Sequence, residues 1–292
     1  MNPSVLQAEL LIDNRATHGE GPVWDDANQV LYWVDMTACR LHSWTLGEGK
    51  ARTYQFQEPV CAVASIARDR MIIAFAKRLA YVKLSDLSIE EICPVEPELP
   101  GNLCNDGKMD PAGRFWIGTM SHDGSIAGAG SLYRLDEGGR LTRVLERLTI
   151  SNGLGWSGDQ RTMYFIDSPT REVWAFDFNP VDSSITNRRT VVRVPSPLGL
   201  PDGLAVADDD TLWVAHWGPG LVCQWCPKSG RLLASVKTGC PHTTSCCFGG
   251  EDGRRLFITT SRLELDSHQL AEAPVSGSLF HFRLPDHHSN SK

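Results

Sequence analysis

Residues 149–157 read TISNGLGWS. The phrase sets an amide before glycine and a short apolar run, and the same shape returns along the chain. LPDGLAV at 200–206 puts Asp202 in the slot, HGEGPVW at 18–24 puts Glu20 there, and NDGKMD at 105–110 puts Asp106 there. The four slots are 86, 46 and 50 residues apart. The first interval is two periods of 43, so a degenerate copy is expected near residue 63, where CAVASIA (61–67) stands. A further copy is expected one period after Asp202, where SCCFGG (245–250) stands. Six units of about 45 residues fall in the range of propeller blades.

The remainder of each unit repeats as well. Downstream of each slot comes a run rich in β-formers: LYWVDM (31–36), MIIAFA (71–76), RFWIGTM (114–120), TMYFIDS (162–168), TLWVAHW (211–217) and RLFITTS (255–261). A third run follows, such as EVWAFDF (172–178) or SLFHFRL (278–284), and a fourth closes most units, such as LTRVLER (141–147). Several alternate apolar and polar residues, and turn signals such as DPAG (110–113) and EDGR (251–254) separate them. Helical periodicity is nearly absent. The pattern predicts an all-β chain: a six-bladed β-propeller with four antiparallel strands per blade. The sixth unit lacks a fourth strand of its own. The N-terminal QAELLID (7–13) is expected to supply it and close the ring, which removes exposed edges. Residues 1–285 are read as a single propeller and 286–292 as a disordered tail whose His287–His288 pair is too isolated for a metal site.

Composition narrows the partners. The net charge of −7 argues against nucleic acid and anionic membranes. No apolar run reaches the roughly 18 residues of a membrane span. The opening MNPSVLQAELLIDNR lacks the basic-then-apolar pattern of an export signal. Nine scattered cysteines suit a reduced compartment, so a cytoplasmic protein is expected. Cys223 and Cys226 have CxxC spacing but no second pair, and read as strand residues rather than a zinc ribbon. A monomer or weak homo-oligomer is expected.

In a propeller the first strand of each blade lines the channel, so equivalent slots converge at one end of it. Glu20, Asn152 and Asp202, from blades 1, 4 and 5, then point at a common spot. Carboxylate and amide oxygens without thiolate suit one hard divalent cation (Ca, Zn, Mn, Mg or Fe) and leave coordination positions for water and substrate. The competing reading is turn chemistry, with Asp and Asn capping a turn before glycine. Glutamate has no such turn preference, which favours a ligand set.

The stretches GEGPVW (19–24), NDGKMDPAGRFWIGTM (105–120), SNGLGWS (151–157), PDGLAV (201–206) and TTSCCFGG (243–250) resemble the senescence marker protein/gluconolactonase/luciferin-regenerating enzyme family. The resemblance spans nearly the whole chain. It implies a six-bladed propeller with one divalent metal in the channel, the metal held by Glu20, Asn152 and Asp202. It also implies Asn105 beside the metal facing a small-molecule sugar lactone, with hydrolysis to the aldonic acid. Asp202 is then both ligand and candidate catalytic base, taking the proton of the attacking water. Leu103, His122 and Asp106 complete the expected substrate-facing set.

The chain departs from the family pattern at Leu103, where many members carry arginine. His122 is expected at the pocket rim, residues 121–130 as a lid of small residues, and His18 either facing the channel or out in solvent. GWSGD (155–159) is not a serine elbow, because Asp159 stands where that motif needs glycine. A non-catalytic calcium-binding regulator of the regucalcin type is the alternative. A partner-binding scaffold and another metal-dependent esterase are more distant ones.

Overall fold

The computed structural model describes residues 4–285, so the expected tail at 286–292 lies outside the described residues. Six sheets of antiparallel strands follow one another around a ring, at 19–55, 60–94, 102–148, 151–193, 200–237 and 243–283. The sixth has three strands of its own. Its fourth is Glu9–Ile12, which pairs antiparallel with Leu279–Arg283. The chain's start is thus stitched to its end, as the sequence predicts. One addition was not foreseen. Ser4–Gln7 runs parallel to Arg231–Lys237 as a fifth strand of blade 5.

The second strands are buried on both faces for a simple reason. In LYWVDM, Leu31 and Trp33 point to one side and join Trp44, Phe257 and Leu279 between blades 6 and 1. Tyr32 and Val34 point to the other and join Val63, Ile73 and Phe75 between blades 1 and 2. Successive strand residues face opposite sheet faces, and here both faces are buried. Six apolar clusters result, one at each blade interface.

The inner strands are Gly19–Asp25, Val60–Ala67, Asn102–Met109, Ser151–Trp156, Leu200–Val206 and Thr243–Gly249. Each carries an extra residue against its neighbour at one common level, and Val60–Ala67 carries a second further along. The bulges at the common level fall between Glu20 and Val23, Val60 and Ala62, Cys104 and Gly107, Asn152 and Leu154, Pro201 and Leu204, and Thr243 and Ser245. A bulge breaks the ladder locally and re-aims a side chain. The glycines after Asn152 and Asp202 answer a second need. A Cβ on Gly153 would come within 2.5 Å of the Asp202 carbonyl oxygen in the next blade, and one on Gly203 would overlap Ser245.

The sole α-helix among the described residues is Ser267–Glu272, started by a capping box between Asp266 and Gln269. No helix of the described residues is long and apolar enough to cross a membrane. All nine cysteines are free, with Cys223 buried on a strand of blade 5.

The two N-terminal strands should contribute very unequally. Ser4–Gln7 is mostly exposed and adds to a blade that already has four strands, whereas Glu9–Ile12 completes one. Removing residues 1–7 is expected to cost only a few degrees in Tm. Removing residues 1–12 should lower Tm by roughly 10 °C or more and broaden the transition, at about 2 °C per kcal/mol for a chain of this size. Calorimetry of the two truncated proteins checks this. Equal effects would mean that the ring does not depend on the closing strand.

Candidate metal centre

The polar slots sit in strands, not in turns, which removes the turn-capping reading. Glu20, Asn152 and Asp202 are 9%, 6% and 6% exposed. Each is delivered by the bulge of its inner strand, and its level is fixed from behind. Asp35, ending the second strand of blade 1, accepts the Thr17 and His18 N–H groups at 2.9 and 3.0 Å. Asp167, at the equivalent place in blade 4, accepts those of Thr149 and Ile150. The repeated Asp of LYWVDM and TMYFIDS therefore pins the chain just upstream of Glu20 and of Asn152. Thr244 of blade 6 adds a lock across the ring closure, donating to the Gly19 carbonyl at 2.6 Å.

Electrostatics bring the slots together. Burial pushes the Glu20 carboxyl well up, and the Asp202 and Asp106 carboxylates push it further. Asp202 is raised well above its ordinary value by burial and then by Asp106, with the Asn152 amide beside it acting the other way. Asp106 is raised by burial and held back by Lys108. Acids from blades 1, 3 and 5 thus share one buried space with the amide of blade 4. Lys108, the cation acting on this group, donates its ammonium to the Leu204 carbonyl at 2.9 Å. Negative charge remains in excess.

The donor set fits a divalent cation. Asp202 Oδ1 is buried with no hydrogen-bond partner. Asn152 Nδ2 donates to Ser168 Oγ at 3.1 Å, and its carbonyl oxygen is the one atom of this amide that can donate to a cation. Glu20 Oε2 accepts from the Gly21 N–H at 2.9 Å, so one carboxylate oxygen is so engaged. Among the described residues no group of three or more His, Cys, Asp and Glu side chains is arranged to hold a metal ion. The set offered here relies on an amide as its third member.

The expected substrate-facing residues divide. Asn105 and Asp106 lie within the third-blade bulge. Asn105 Nδ2 reaches the Ser151 carbonyl at 3.1 Å, directly beside Asn152, and Asp106 Oδ1 accepts from Gly107 N–H at 2.7 Å. Leu103 is half-buried and packs on the apolar cluster between blades 2 and 3. His122 is exposed, its N–H tied to the Gly101 carbonyl at 2.8 Å. The 121–130 segment is stitched internally: Asp123 accepts from Ser125 and Ser121 Oγ from the Ile126 N–H.

His18 is not a solvent-exposed loop residue. Its ring packs edge-on to Trp217 at 5.9 Å and bonds Ser261 Oγ at 3.0 Å, and burial draws its pKa down to about 4. Trp217 and His242, which the sequence reading passed over, stack at 3.9 Å. Their signal was present in the repeat: Trp217 ends a second-strand run, and His242 precedes Thr244 as His18 precedes Glu20. A cavity of about 750 Å³ lies at the other end of the inner strands, beside Lys108, Met109, Val206 and Phe248, and contains none of the polar slots.

Residues 18–262 match the family described as SMP-30/Gluconolactonase/LRE-like region. YvrE of Bacillus subtilis (strain 168), which carries a provisional sugar lactone lactonase name, is 35% identical over 279 residues, 96% of this chain and 95% of that protein. Among solved structures, a calcium-binding regucalcin from Agrobacterium tumefaciens superposes with a TM-score of 0.91 at 27% identity, covering 96% of this chain and 95% of that one. A gluconolactonase from Xanthomonas campestris superposes with a TM-score of 0.75 at 26% identity, covering 94% and 89%.

The raised carboxyls give a signed prediction. Without metal, the folded protein keeps protons on these acids at pH values where the unfolded chain has lost them. Metal-free stability should therefore fall as pH rises above the ordinary carboxylate range. A cation that binds the ionised forms offsets that loss. The Tm gain from added Ca²⁺ or Mn²⁺ should thus grow between about pH 5 and pH 8. Glu20→Gln removes one of the mutually repelling charges. Without metal it should melt above the metal-free wild type at about pH 8, and it should gain little from metal. A metal-induced gain independent of pH would contradict the site.

Proposed function

Because the chain belongs to the SMP-30/gluconolactonase/LRE-like family, we propose that it hydrolyses a sugar lactone to the aldonic acid at a divalent-cation centre held by Glu20, Asn152 and Asp202. The observation that carries this reading is the unpartnered, buried Asp202 Oδ1 among carboxylates that repel one another. Calcium, zinc, manganese, magnesium or iron would suit these oxygen donors, and when bound such an ion polarises the lactone carbonyl as a Lewis acid.

The chain's own residues do the rest. Asp202 accepts the proton of the attacking water while the water oxygen forms its bond to the acyl carbon. The acyl–oxygen bond of the ring then breaks, and the ring oxygen takes the proton from Asp202 to leave as the new hydroxyl, which returns Asp202 to its carboxylate. Asn105, held by the Ser151 carbonyl, keeps a second amide hydrogen and its carbonyl oxygen for the substrate. Asp106 lies beside it; Leu103, packed on the cluster between blades 2 and 3, would shape the same wall through its exposed part, with His122 at the rim. No serine or cysteine nucleophile is needed. A reduced cytoplasm as the working compartment agrees with nine free cysteines.

A calcium-binding protein without turnover is the second reading, favoured by the superposition on the Agrobacterium regucalcin. It uses the same ligands, so only turnover separates the two. Gluconolactone and xylonolactone hydrolysis should be lost on chelation and restored by a divalent ion. Absence of turnover with every ion, in protein that binds calcium, would favour the second reading.

Asp202→Asn should keep part of the metal affinity and lose roughly 10²–10⁴-fold in single-turnover hydrolysis at saturating metal, the usual worth of a positioned base. Calorimetry and hydrolysis in the same sample check this, and near-normal hydrolysis would make Asp202 a ligand only. Leu103→Arg should change the relative kcat/KM of pentono- and hexonolactones more than it changes metal affinity. Flat ratios would remove Leu103 from the substrate's wall.

A further inference from the structure

Alternation along a strand puts residues i and i−2 on one face, so a second tier of side chains lies two residues before the bulge level. His18 holds that place before Glu20, and His242 holds it before Thr244. In blade 5 the place belongs to Leu200, and Trp217 is its partner in register. These three aromatic rings, from blades 1, 5 and 6, form one contiguous wall. Trp217 and His242 lie parallel, 3.9 Å apart at 7°. His18 meets Trp217 edge-on at 5.9 Å and 79°. Trp217 is only half-buried, so part of the stack is open to an incoming molecule.

The hydrogen bonds behind the wall fix what its imidazoles present. His242 Nδ1 lies 3.1 Å from the Leu263 carbonyl, which only accepts, so the proton is on Nδ1. Ser261 Oγ donates to the Thr17 carbonyl at 3.2 Å and accepts from the Leu263 N–H, so it also accepts from His18 Nδ1 at 3.0 Å. Both rings therefore keep Nε2 as a bare acceptor, and neither Nε2 has a partner among the described residues. The wall combines an apolar stacked face with two acceptors about its edge. The apolar C–H face of a sugar ring and its hydroxyl donors need that combination, and an unsubstituted lactone uses only half of it.

We infer that His18, Trp217 and His242 form the sugar-ring subsite, which holds a neutral polyhydroxylated ring over the carboxylate cluster and selects it over lactones without hydroxyls. The inference deepens the lactonase reading and rests on it for the identity of the ring. The role is binding: the wall sets KM and preference, while bond breaking stays with the groups one tier below.

Trp217→Ala and His242→Ala should each raise KM for xylonolactone about tenfold or more. They should leave kcat and the KM for δ-valerolactone within about threefold. His242→Phe keeps a stacking ring but no Nε2, so it should recover part of the loss seen in His242→Ala. It also guards against a merely misfolded variant. A second arm needs no turnover: calorimetric binding of 1,5-anhydroglucitol, a ring that cannot be hydrolysed. Wild type should bind it, and Trp217→Ala should bind it at least tenfold more weakly. A wild type that hydrolyses no lactone but shows this binding pattern would sink the lactonase reading and keep the subsite. Unchanged sugar-to-valerolactone KM ratios, or 1,5-anhydroglucitol binding that is absent in wild type or unaffected by Trp217→Ala, would overturn the subsite.

Discussion

Six inner strands crowd one axis, and the rest of the molecule follows from how they manage it. At the bulge level the chains approach so closely that residue 153 has no room for a Cβ beside the Asp202 carbonyl, nor residue 203 beside Ser245. Glycine is therefore required next to Asn152 and Asp202, and the slot itself is turned inward by an extra residue that the ladder cannot pair. The same local geometry that lets the ring close thus aims one side chain per blade at the axis, and in every blade but the second that side chain is polar. Where blades 1, 3, 4 and 5 place Glu20, Asp106, Asn152 and Asp202, the result is a charged pocket. Where blade 6 places Thr244, it is a hydroxyl that ties its strand to the Gly19 carbonyl.

The pocket is held against its own electrostatics. Burial alone disfavours ionised carboxylates, and three of them acting on one another disfavour ionisation further. Such an arrangement persists because the backbone around it is over-determined. Asp35 and Asp167 each accept two backbone N–H groups just upstream of a slot, and the six inter-blade clusters bury both faces of each sheet. A cation would satisfy Asp202 Oδ1 and lower the repulsion together, so affinity for a divalent ion and the cost of holding the site metal-free have one origin. Above this plane the chemistry changes character. His18, Trp217 and His242 offer a stacked apolar face and neutral acceptors, suited to discrimination rather than bond making.

Much of this was legible in the sequence. The period of about 45 residues, the Gly after each polar slot and the repeated β-rich runs determined the six blades, their strands and the N-terminal closure, because a repeat fold stabilises each unit by the same contacts and writes them each time. The slots Glu20, Asn152 and Asp202 were legible for the same reason: equivalent positions in equivalent blades must meet at the axis. Tertiary structure alone decided the remainder. The exposed strand Ser4–Gln7 carries no period of its own and is recruited only because blade 5 presents an edge. The helix Ser267–Glu272 is too short for a hydrophobic stripe to reveal. The aromatic wall joins residues 18, 217 and 242, far apart in the chain, and Trp217 is not equivalent to the two histidines it touches. Periodicity reports which residues are equivalent. It is silent on which non-equivalent side chains touch, and that depends on the closed ring bringing blades 5 and 6 against blade 1.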